Sequence, residues 1–279
     1  CLDLKTGELA STTSFSLDLI HRIVISGLQG SIILSGHEYH AEAFSLDGLV
    51  STGRIPGPID DDIVDLAVSE RNGSIFLASA SGSMIERDLA SGELLNRVMV
   101  PLVLKGFADQ GGLSALYCDD DAGILLAGCY KAGSVSGIKL DDLDLIRVWE
   151  LPNSVRGRRA AVTEIASIPS QNGMVWGDAR GFLCIGGYDS DKPRNHWQNE
   201  ESPVTVMMIA EDSPVLLVGY RNGILELYST DGWKQIARES MHQGPVVGAV
   251  MLNASFLELS SNDIQEIDED GSAEQGYKT

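Results

Sequence analysis

Residues Asp62 to Val100 read DIVDLAVSE-RNG-SIFLASA-SGS-MIERDLA-SG-ELLNRVMV, and this stretch decides the fold. An alternating strand comes first, then a polar turn, then a strand apolar on both faces. A small-residue loop, a third strand, a turn of Ser and Gly and a fourth strand complete the unit. Working outward, the same unit recurs. Downstream it reads LSALYCDD-DAG-ILLAGCYKAGS-VSGIKLDD-LD-LIRVWELP, then VTEIASIPS-QNG-MVWGDARG-FLCIGGYDSDKP-RNHWQ, then PVTVMMIAE-DSP-VLLVGYRNG-ILELYSTDG-WKQIARE. The last copy is PVVGAVMLNAS-FLELSSND-IQEIDEDG-SAEQGYKT. Upstream stands HRIVISGLQG-SIILSGHEYH-AEAFSLDG-LVSTGRIP, preceded by CLDLKTG and ELASTTSF, which read as the third and fourth strands of one more unit.

The second strands begin near Ile32, Ile75, Ile124, Met174, Val215 and Phe256. A four-stranded unit at this interval, roughly 40–50 residues, is the spacing of β-propeller blades. No segment holds a period of 3.6, so helices should be few. The expectation is an all-β, seven-bladed propeller of four-stranded antiparallel blades, one domain over 1–279. About six and a half blades are in this chain. Two strands of one blade are lacking, which reads as a piece of a longer protein because open sheet edges are costly.

Composition narrows the function. The 279 residues carry 20 Lys and Arg against 40 Asp and Glu, a formal charge of −20. Such a field repels phosphate backbones, so nucleic acid is not an expected partner. No apolar run approaches the ~18 residues of a membrane helix. Cys1, Cys118, Cys129 and Cys184 are far apart and lack metal-ligand spacing, which reads as buried thiols in a reducing compartment, the cytoplasm. No charged segment with an apolar run opens the chain, so no signal peptide is read. On that ground Asn72-Gly-Ser74 and Asn253-Ala-Ser255 are discounted as glycosylation acceptors.

Several segments resemble the WD-repeat propeller family. His242-Gln-Gly-Pro-Val-Val-Gly-Ala-Val250 is similar to the family's Gly-His and Pro-Val-x-x-Val opening of a first strand, with Met241 in place of Gly. Leu217-Val-Gly-Tyr-Arg-Asn-Gly-Ile-Leu-Glu-Leu-Tyr228 resembles its second and third strands, with Tyr228 where the family favours Trp. Leu77 to Gly92, LASASGSMIERDLASG, also fits, with Arg87-Asp88 in place of Trp-Asp. The resemblance gives His242, Tyr228 and Asp88 structural roles. It implies a propeller that binds proteins or peptides. No unit carries an intact Trp-Asp pair. Asp3-Leu-Lys-Thr-Gly7 also resembles the repeat turns of quinone-cofactor propellers, which leaves an enzymatic or cofactor-binding reading with a central-channel site as the alternative.

Catalytic signatures are sparse. There is no Gly-x-Ser-x-Gly elbow, Walker loop or dinucleotide fingerprint. His37 and His40 beside Glu38 lack the helical spacing of a metal pair and read as a polar loop. Asp60-Asp-Asp62 and Asp119-Asp-Asp121 do not follow a calcium loop and read as solvated turns. No cofactor or metal is expected. Of the first strands, which would line a central channel, Asp65 and Glu164 are the charged residues this reading picks out.

One grouping has more shape. Strand direction puts the second-to-third loops and the inter-blade loops on one face. Lys131, Arg180 and Arg221 then lie in second-to-third loops of three consecutive blades, and Arg156, Arg158 and Arg159 in the inter-blade loop SVRGRRAAV between two of them. Guanidinium forks suit carboxylates and phosphates. The expectation is a non-enzymatic interaction scaffold whose cationic sector takes an acidic or phosphorylated peptide. Against it stand Glu200, Glu201 and the Asp60–Asp62 run on the same face.

Overall fold

The structure, a computed structural model, describes residues 17, 20–36, 38–58, 61–100, 112–131, 133–150, 160–210, 213–240 and 243–246. Twenty strands form five four-stranded antiparallel sheets. The first holds β1 (Ile20–Ser26), β2 (Ser31–Gly36), β3 (His40–Ser45) and β4 (Ser51–Pro56). The second holds β5 (Ile63–Ser69), β6 (Ser74–Ser79), β7 (Ser83–Asp88) and β8 (Leu94–Met99). The third holds β9 (Leu113–Asp119), β10 (Ile124–Cys129), β11 (Val135–Lys139) and β12 (Leu145–Trp149). The fourth holds β13 (Val162–Ile168), β14 (Gly173–Asp178), β15 (Phe182–Gly187) and β16 (Pro193–Gln198). The fifth holds β17 (Val204–Ile209), β18 (Val215–Tyr220), β19 (Ile224–Ser229) and β20 (Lys234–Ser240).

Each sheet is an up-and-down meander, and the first strands β1, β5, β9, β13 and β17 pack side by side in that order. This arrangement is propeller-like. Among the described residues the five sheets make an arc, not a closed ring. No α-helix occurs among them, only a 3₁₀ turn at Pro169–Gln171. The five described second strands begin within a residue of the positions read from sequence. The stretches expected before β1 and after β20, including Phe256, lie outside the described residues.

Burial explains the strand compositions. β6, β10, β14 and β18 are buried at every residue, as a strand covered by a sheet on each face must be. Fourth strands such as β8 and β20 are mostly exposed; β20 is largely polar, whereas β8 leaves Leu94, Leu95 and Met99 exposed. The residue before the second strand turns the chain through positive φ: Gly73 at 62°, and Asn172 in the corresponding place at 48°. Asn is among the few side chains that tolerate this region.

Sheet-to-sheet contact rests on a repeated small residue. Gly128, Gly177 and Gly219 occupy one register position in β10, β14 and β18. A Cβ there would come within 2.7, 2.8 and 2.7 Å of Val162, Val204 and Val246 respectively. Val162 and Val204 open the next sheet's first strand. Each first strand also carries a bulge one residue in, at His21, Val64, Ser114, Thr163 and Thr205. The Ser114 hydroxyl donates to the Val162 carbonyl at 2.7 Å, and the Thr205 hydroxyl to the Val246 carbonyl at 2.6 Å.

Candidate functional site: an axial charge cluster and the face above it

The residue after the bulge stands at one register position in every first strand. In sheet order this position holds Arg22, Asp65, Ala115, Glu164 and Val206. Arg22 is therefore a residue that sequence reading missed. Its Nε and Nη2 donate to the two oxygens of Asp65, at 2.6 and 2.9 Å, and its Nη1 donates to Glu164 at 3.3 Å. Asp65 also accepts the backbone N–H groups of Leu66 (2.8 Å) and Leu116 (2.6 Å). One guanidinium thus links the first strands of the first, second and fourth sheets, and Asp65 adds the third.

The electrostatics follow from the count. Two carboxylates share one guanidinium in a site where Asp65 is 3% exposed. The facing carboxylates, Asp65 foremost, hold Arg22 firmly charged. Burial pushes Glu164 up to about 7; Arg22 pulls it down and Asp65 adds to the rise. Aligning the repeats at the third residue of each first strand (HRI, VDL, TEI) would have revealed opposite charges at one register.

The cluster lies near the start of the first strands, toward the face that carries the β10–β11, β14–β15 and β18–β19 turns. Lys131, Arg180 and Arg221 stand in those three turns, each exposed. Among the described residues the charged group of none of them is in an ion pair, although Asp178 accepts the Arg180 backbone N–H at 2.8 Å and feels the Arg180 charge. Glu200, a candidate to offset them, is held by Arg238 and accepts from Asn222 Nδ2 at 3.1 Å. Glu201 is exposed, and Asp61 accepts the Ser81 backbone N–H at 2.8 Å. Arg156, Arg158 and Arg159 lie outside the described residues, as do His242, His37 and Asp60.

The other candidates have local roles. Asp88 Oδ1 accepts the backbone N–H groups of Ala90 (3.1 Å) and Ser91 (2.7 Å) and the Ser91 hydroxyl (2.7 Å), closing the β7–β8 turn. These bonds hold its carboxyl below the usual range. The Tyr228 hydroxyl donates to the fully buried Glu226 at 2.5 Å and receives Asn199 Nδ2 at 2.8 Å. Glu226 also accepts from Tyr220 (2.8 Å) and Gln235 (3.1 Å). His40 Nε2 lies 3.8 Å from Glu42.

Among the described residues no three His, Cys, Asp or Glu side chains are grouped to hold a metal, and no helix is long and apolar enough to cross a membrane. Comparison with protein-family models finds no match for the chain, and comparison with curated proteins finds none.

Proposed function

We propose that this chain is a seven-bladed, WD-repeat-like propeller acting as a non-enzymatic platform for protein partners. Its cationic face takes an acidic or phosphorylated peptide. The observation that carries the reading is the trio Lys131, Arg180 and Arg221. Three consecutive sheets present an exposed cation at the equivalent turn, its charged group outside any ion pair among the described residues, in a chain of charge −20. A cation kept unpaired in an acidic protein has its charge available to a ligand. The axial carboxylates, by contrast, are engaged by Arg22.

The blade count draws support from Val246, which sits on Gly219 as Val204, the first residue of β17, sits on Gly177. Cys118 and Cys184 are in no disulfide among the described residues, in keeping with a reducing compartment such as the cytoplasm.

The test is anisotropy with a labelled phosphoserine- and Glu-rich peptide pool. Lys131→Glu, Arg180→Glu and Arg221→Glu together should weaken binding about tenfold or more. Equal binding by the triple variant and the wild type overturns the reading.

A further inference from the structure

At the far end of the first strands, on the face of the β9–β10 and β19–β20 turns, lies a groove of about 810 Å³. Its walls are partly apolar: Tyr117 and Ile209 from the ends of β9 and β17, with Pro169 and Pro214 from the adjoining loops. Two exposed carboxylates border it, Asp121 from the third sheet and Asp231 from the fifth, and they flank the residues contributed by the fourth. Neither is in an ion pair among the described residues, and no Lys, Arg or His lines the groove. The hydroxyl oxygen of Ser213, in the same lining, is buried without a hydrogen-bond partner among the described residues.

We propose that this groove binds a basic segment of a partner protein. The alkyl stem of a Lys or Arg lies along Tyr117, Ile209 and the two prolines, as long cationic side chains do on apolar surface. Its charged head meets Asp121 or Asp231, and Ser213 finds its partner in the bound segment. A groove of this size lies in the upper part of the range of ligand pockets, roughly 300–1,000 Å³, which suits several residues of extended peptide. A second copy of this chain is disfavoured as occupant, because two surfaces of charge −20 repel. The inference is independent of the cationic face, which lies on the other side of the molecule.

A labelled peptide of alternating Arg and Ser, titrated into the full chain at about 0.15 M salt, tests it. Asp121→Asn with Asp231→Asn should weaken binding about tenfold. Glu93→Gln with Glu239→Gln makes the same change of net charge at exposed sites away from the groove, and should change binding less than about twofold. Equal losses in both variants, or no binding by the wild type, overturn the proposal. The acidic probe of the opposite face should bind all these variants alike.

Discussion

Arg22 reaches two carboxylates from two other sheets, and its removal isolates both. Arg22→Met would leave Asp65 and Glu164 close together in a poorly solvated site, where breaking a buried pair costs about 3 kcal/mol or more. Chemical denaturation should record that loss. Glu164 carries its own signature. Its carboxyl moves from the ordinary value of 4.5 to about 7 on folding. Below 4.5 it is protonated in both states and costs nothing. As pH rises through 7, the unfolded chain has already released the proton that the folded chain retains, so stability falls across that window. Glu164→Gln stays neutral throughout and keeps an acceptor for Arg22. Its stability profile should be flatter than the wild type's, by on the order of 3 kcal/mol between pH 4.5 and 8. Parallel profiles would show that Glu164 does not hold its proton.

At the scale of the element, cross-strand pairing explains side chains that composition alone misleads on. Glu42, Glu86 and Glu226 are buried glutamates of the third strands β3, β7 and β19, opposite Arg54, Asn96 and Arg238 of the fourth strands. Cys184 holds in β15 the position of Glu42 and Glu226; Glu86 and, in β11, Gly137 lie one residue further along their strands, and the Trp149 ring lies over Gly137. Removing the phenol donor tests the fullest of these networks. Tyr228→Phe keeps the ring against Trp197, centroid to centroid 5.3 Å, but deprives Glu226 of a hydrogen bond. It should lower stability by about 1–2 kcal/mol. The sheet contact has a similar test. Gly177→Ala drives a methyl to 2.8 Å from Val204 and should cost about 1–3 kcal/mol, in part restored by adding Val204→Ala. Strand positions were legible because alternation and turn residues act locally. The glutamates were not, because their burial depends on the neighbouring strand.

On the scale of the whole molecule, the axial cluster makes a testable link between distant sheets. The four tryptophans, Trp149, Trp176, Trp197 and Trp233, all belong to the third, fourth and fifth sheets or their turns. Their fluorescence reports nothing directly of the first sheet. Arg22→Met, made in β1, should nonetheless shift the denaturation midpoint seen by tryptophan, together with that seen by circular dichroism. An unmoved tryptophan transition would show that the Arg22–Glu164 bond does not couple the sheets.

The sequence by itself determined the repeat, the strands and the turns, since each unit's alternation, small residues and positive-φ positions are set by neighbours a few residues away. It also put Lys131, Arg180 and Arg221 at equivalent turns. Only the tertiary structure decided what the centre contains. Arg22 and Glu164 are far apart in the chain, and the hydrogen bond between them exists because successive sheets turn their first strands toward one region. There the low dielectric makes a paired charge durable and an unpaired one costly.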